Sequence, residues 1–142
     1  MSKYLSSLFV AFCLRINSQT IDTIWLAKNY TKQEVLIPMR DGVKLFTAIY
    51  APKDASEKHP TLMMRTPYSC APYGKNKFTP RLYTSYWVNY LKENYIIVLQ
   101  DVRGKFMSEG VFEDVRPFIE NKKTKKDVDE ASDTYDAIEW MV

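Results

Sequence analysis

Hydrophobic and polar positions alternate with a period of two along residues 43–50. Val43, Leu45, Thr47 and Ile49 fall on one face, and Lys44, Phe46, Ala48 and Tyr50 on the other. Residues 33–39, just before, are rich in β-branched and apolar side chains, and Arg40, Asp41 and Gly42 separate the two runs. An Asp-Gly pair in that place predicts a β-hairpin, because these residues tolerate the backbone a tight turn needs. After a polar loop at 53–60, residues 61–65 form a short apolar run that stops at Pro67 and predicts a buried strand. Residues 68–80 follow as an irregular segment with prolines, a glycine and polar side chains; such a loop in a compact domain is more often functional than idle. Residues 81–93 carry Leu82, Tyr83, Tyr86, Trp87, Tyr90 and Leu91 at helical spacing, which predicts one helix ended by Asn94. Residues 95–99 are uncharged and β-rich, as suits a strand covered on both faces. Beyond a second loop, Asp127 with Glu130 three residues on predicts a capped final helix, with Val128, Ala131, Tyr135, Ile138 and Val142 on one face.

The predicted order is hairpin, strand, helix, strand, helix, an α/β arrangement in which helices pack on a parallel sheet. The last residue, Val142, falls inside the final helix, and that helix's crossover has no strand after it. The expectation is therefore an incomplete domain. A composition of 46% hydrophobic and 14% aromatic residues excludes a disordered chain. Residues 1–19 read as a signal peptide, with Lys3 at the start, an apolar stretch over 4–14, and Asn17, Ser18 and Gln19 near the expected cleavage point. The stretch is too short for stable membrane insertion, which takes about 20 apolar residues. This predicts a secreted or periplasmic protein, with residues 20–31 as a lead-in and 32–142 as the domain.

The formal net charge is +3, and loss of Lys3 and Arg15 with the signal leaves +1. The basic run at Lys122, Lys123, Lys125 and Lys126 is answered at once by Asp127, Asp129 and Glu130, so it reads as a solvated loop, and no nucleic-acid partner is expected. Cys13 lies in the signal, which leaves Cys70 without an internal disulfide partner. His59 is the only histidine, and no metal or other cofactor is expected. Asn29, Tyr30 and Thr31 match a glycosylation acceptor, a triplet common by chance.

Candidate chemistry gathers in two stretches. Arg65-Thr66-Pro67-Tyr68 ends the third predicted strand; Gln100-Asp101-Val102-Arg103-Gly104, with Ser108-Glu109-Gly110, follows the fourth. Ligands of open α/β sheets bind outside the carboxyl ends of the strands. A tyrosine there can donate its hydroxyl hydrogen to a developing oxyanion, although from position alone, in a chain with 10 tyrosines, Tyr68 reads more readily as an ordinary buried tyrosine. Asp101 and Arg103 read more readily as a structural ion pair pinning a loop, and Gly104 and Gly110 as tight turns.

The hairpin V-L-I-P-M-R-D-G-V-K-L, then R-T-P-Y, then Y-I-I-V-L-Q-D-V-R-G-K-F-M-S-E-G, resembles the start of the catalytic domain of one serine hydrolase group. The group comprises the Xaa-Pro dipeptidyl-peptidases, cocaine esterase, the α-amino-acid ester hydrolases and the glutaryl cephalosporin acylases. Arg116-Pro117 and the stretch D-V-D-E-A-S-D-T-Y-D-A-I-E-W look most similar to the ester hydrolase and acylase branch. The resemblance implies the N-terminal part of an α/β-hydrolase fold with a Ser-Asp-His triad, in which the residue matching Tyr68 donates to the oxyanion hole. It implies a small-molecule ester or amide substrate, no cofactor, and a complete protein that can form homo-oligomers. The nucleophile elbow, G-x-S-Y-x-G, is expected roughly 15 to 20 residues past Val142. The nucleophile serine and the triad aspartate and histidine are therefore absent from this chain, as are the carboxylates that would bind a substrate amino group. Ser108 lies in a loop, His59 matches no triad position, and the fragment alone is expected to be inactive. An Xaa-Pro dipeptidyl-peptidase and a non-catalytic secreted remnant or binding module are the alternatives.

Overall fold

The computed structural model describes residues 21–142, so the expected signal peptide lies outside the described residues. Four strands form one mixed sheet in the order β1-β2-β4-β3. β1 (Tyr30–Pro38) and β2 (Lys44–Pro52) pair antiparallel around Asp41-Gly42, where Gly42 takes φ +89°, as the hairpin prediction requires. β4 (Ile96–Asp101) lies antiparallel to β2 and parallel to β3 (Thr61–Thr66).

The period of two in β2 places its side chains against two different layers. Phe46, Ala48 and Tyr50 join Ile97, Leu99, Leu82, Trp87 and Leu91 in the larger core. Leu45 faces the other way and packs with Ile37, Met39 and Ala137. One side of the sheet is thus covered by α1 (Thr23–Asn29), α2 (Arg81–Thr84) and α3 (Trp87–Lys92), and the other by α4 (Glu130–Met141).

Three local expectations are corrected. The lead-in contains α1, capped by Asp22 accepting from the Trp25 N–H at 2.8 Å, and β1 begins directly after it at Tyr30. The single helix expected over 81–93 is two, broken at Ser85, whose backbone is extended (φ −135°, ψ −169°). There the hydroxyls of Thr84 and Ser85 donate to the carbonyls of Pro80 and Arg81 at 2.9 and 2.7 Å, local bonds of a kind that competes with helix propagation. The terminator Asn94 does adopt the left-handed conformation, at φ +57°.

The third correction concerns α4. Its cap is Asp129, not Asp127: Asp129 accepts from the Ser132 N–H, and the Ser132 hydroxyl accepts from the Asp129 N–H. Asp127 instead closes the preceding turn by accepting from the N–H groups of Lys123 and Thr124. The buried face of α4 is Ser132, Asp133 and Ala137, whereas Tyr135, Ile138 and Val142, expected to face inward, are exposed. The reason is electrostatic. Arg65, Arg103 and Arg40 rise toward α4 and meet Glu130, Asp133 and Asp136 in ion pairs, so the acidic side of the helix faces the sheet.

Candidate functional site at the carboxyl edge of the sheet

β3 and β4 run parallel and end side by side, with Thr66 opposite Asp101. The chain leaves β3 through Pro67, and the Thr66 hydroxyl accepts from the Tyr68 N–H at 3.0 Å. Tyr68 itself is 80% exposed, so the buried-tyrosine reading is overturned. Its ring stands free at the strand ends. The chain bends at Pro67 and Tyr68, Ser69 then takes φ +79°, a left-handed conformation, and Cys70 is buried where Tyr68 is not. Burial pushes the Cys70 thiol far above its ordinary value, and the neighbouring Asp101 charge adds to this, so the thiol is neutral and not a nucleophile.

Asp101 is fully buried and does not pair with Arg103, contrary to the expected ion pair. One carboxylate oxygen accepts from the Cys70 N–H at 2.8 Å; the other accepts from the Tyr73 hydroxyl at 2.9 Å and from the Met107 N–H at 3.4 Å. Arg103 turns away to Asp41 in the hairpin and Asp133 on α4. An ion pair was expected from closeness in sequence, but β4 ends at Asp101 and Arg103 already lies in the turn beyond it, so the two charges bind different elements.

The remaining candidates have structural places. Ser108 donates to the Asp101 carbonyl at 2.6 Å and accepts from the Phe46 N–H at 2.8 Å, which fixes the loop after β4 to β2. Gly104 (φ +70°) and Gly110 (φ +92°) occupy the turns expected of them, and at Gly104 a Cβ would come within 2.1 Å of the Phe112 nitrogen. His59 contacts only the Asp54 carbonyl, so among the described residues no serine is hydrogen-bonded to a histidine.

Lys32 carries a role that the sequence pattern did not reveal. Its side chain is buried, and its ammonium contacts Glu34 and the carbonyls of Pro72 and Gly74, tying the loop after Tyr68 to β1. In sequence it is one more polar residue near the start of a strand. The roles of Tyr73 and Ser69 were equally hidden, since neither lies in a motif. One cavity of about 460 Å³ is lined by Thr31, Lys32, Gln33, Glu34 and Lys75, away from the carboxyl ends of β3 and β4.

A hairpin leading into parallel strands, helices on both sheet faces, and an exposed tyrosine where β3 ends together define part of an α/β-hydrolase fold. The chain belongs to the X-Pro dipeptidyl-peptidase (S15) family, whose pattern matches residues 41–142. It is 32% identical over 115 residues to the cocaine esterase of Rhodococcus sp. (strain MB1 Bresler), a match covering 80% of this chain and 17% of the esterase. Among solved structures, an α-amino acid ester hydrolase superposes with a TM-score of 0.66 at 34% identity, over 96% of this chain and 22% of that one. An aminopeptidase from a marine sediment archaeon, Thaumarchaeota archaeon, superposes with a TM-score of 0.64 at 37% identity, over 80% and 19%. The chain thus spans about a fifth of the length of the proteins it matches.

Proposed function

We propose that this chain is the N-terminal portion of a secreted serine hydrolase that cleaves esters or amides of small acyl groups through an acyl-enzyme, with Tyr68 as an oxyanion-hole donor. The observation that carries the reading is the exposed phenol of Tyr68 at the carboxyl end of β3, on a loop held from behind by buried hydrogen bonds. Attack of a serine on a carbonyl moves negative charge onto the carbonyl oxygen, and a fixed donor aimed there stabilises that charge more than it stabilises the substrate. The second donor is the backbone N–H after the nucleophile, and the serine, histidine and aspartate come from beyond Val142. One donor without nucleophile and base supports no acyl transfer, so residues 21–142 alone are inactive.

Removing one such donor lowers kcat by about 10²–10³. Tyr68→Phe in the full-length protein should therefore cut kcat by that factor and leave KM within a few-fold, as loss of a contact made only in the transition state does. An unchanged kcat removes the oxyanion assignment. The family match favours a second reading, release of Xaa-Pro dipeptides. Comparing an α-amino-acid ester with an Xaa-Pro amide as substrates separates the two: preference for the amide makes the protein a peptidase.

A further inference from the structure

The exposed Tyr68 is followed directly by Ser69 in a left-handed conformation (φ +79°), which a non-glycine residue does not hold without help. The help converges on one carboxylate. Asp101 accepts from the Cys70 N–H, immediately after Ser69, at 2.8 Å. It also accepts from the Tyr73 hydroxyl at 2.9 Å, and that hydroxyl lies 2.9 Å from the Ser69 hydroxyl. The Ser69 hydroxyl in turn accepts from the Ala71 N–H at 3.1 Å. Burial, with Asp101 beside it, pushes the Tyr73 phenol up to about 12, so it stays protonated and is available as a donor. Asp101 ends the strand next to β3 and is itself tied down, since its carbonyl accepts from the Ser108 hydroxyl at 2.6 Å. The loop's conformation is therefore referred to the centre of the sheet.

We infer that Asp101 is the positioning residue for Tyr68, its buried carboxylate holding the left-handed Ser69 and the loop after it so that the phenol stays over the carboxyl edge. The inference rests on the oxyanion role of Tyr68 and adds a specific dependence. The carboxylate touches no substrate; it acts through the loop. An asparagine can take over most of the task, because its carbonyl oxygen accepts from the Cys70 N–H while its amide donates to the Tyr73 oxygen, which then donates to Ser69. An alanine leaves the Cys70 N–H without its acceptor and lets the Tyr73 hydroxyl turn to Ser69 alone, so nothing ties the loop to β4.

The test is a set of double-mutant cycles in the full-length protein, with rates normalised to active-site serines titrated by a fluorophosphonate. Asp101→Ala should lower kcat roughly 10- to 100-fold, less than the complete loss of the donor, with KM little changed. Asp101→Asn should restore kcat to within about fivefold of the parent, and Tyr73→Phe should cost several-fold. In a Tyr68→Phe background all three effects should shrink to about twofold or less, because the group they position has gone. If Asp101→Ala yields no folded protein, the Tyr73→Phe cycle carries the test alone. Losses that persist undiminished in the Tyr68→Phe background overturn the positioning role and leave Tyr68 as donor. A Tyr68→Phe protein with normal kcat overturns both.

Discussion

Replacing Arg103 by methionine should loosen α4 far more than its single buried apolar residue would suggest. Arg103 is 4% exposed, and its guanidinium bridges two elements distant in sequence, reaching Asp133 on α4 at 2.6 and 2.9 Å and Asp41 in the hairpin turn at 2.8 and 3.2 Å. Burial would lower the Arg103 pKa, but its hydrogen bonds to Asp133 and Asp41 outweigh that and raise it, so the arginine stays charged. Methionine refills the volume and leaves Asp133, 1% exposed, without its principal partner. Breaking a buried pair from one side costs about 3–5 kcal/mol. The low end applies here, since Asp41 keeps some access to water and Arg65 remains 3.6 Å from Asp133. About 3 kcal/mol is roughly a hundredfold in a local opening equilibrium. Hydrogen exchange of the α4 amides in the full-length protein at neutral pH should accelerate by about that factor. Adding Asp133→Asn should recover part of the protection. Exchange in α4 within about threefold of the parent would refute the claim that ion pairs dock this helix.

Further outcomes follow from the same geometry. Burial alone would raise the Asp129 carboxyl, but the N–H groups of Ile119 and Ser132 and the Lys122 ammonium hold it well below the usual carboxylate range. Its contribution is then fully present above the unfolded value of about 3.9 and is lost as pH falls from there toward the folded value. Asp129→Asn should accordingly lower the thermal midpoint most at neutral pH, with the gap to the parent closing below about pH 4; a gap that is constant down to pH 2.5 would contradict this. At Gly104 a left-handed alanine costs about 1–2 kcal/mol, and its Cβ would also collide with the Phe112 backbone. At Gly42 an added Cβ meets nothing within 4 Å. Gly104→Ala should thus destabilise the loop after β4 well beyond what Gly42→Ala does to the hairpin, as read by exchange at position 104 and at Lys105, Ser108 and Glu109, whose amides are bonded there.

The sheet was legible in the sequence because its signals are local and redundant. Alternation in β2 is visible residue by residue, Asp41-Gly42 fixes the hairpin, and the uncharged run in β4 has no other use than burial on both faces. The helices were read less well, since their apolar spacing competes with polar details. Thr84 and Ser85 break a pattern that Tyr83, Tyr86 and Trp87 continue, and the side of α4 that docks is set by arginines from β3, from the loop after β4 and from the hairpin turn. Counting apolar residues along α4 cannot reveal where Arg65 and Arg103 lie. The Tyr68 segment stood out by its place at a strand end, but the network behind it did not. Tyr73 and Asp101 are separated by many residues and meet only through the parallel pairing of β3 with β4, and Ser69 is an unremarkable serine until its backbone is seen.

The most direct test of the serine-hydrolase account is covalent labelling of the full-length protein with a fluorophosphonate, followed by mass mapping of the modified peptide. The account predicts stoichiometric, activity-abolishing modification of one serine beyond Val142, within a G-x-S-x-G sequence on a strand-to-helix turn. Absence of labelling, or labelling at Ser108, would contradict it and leave a non-catalytic role for this chain.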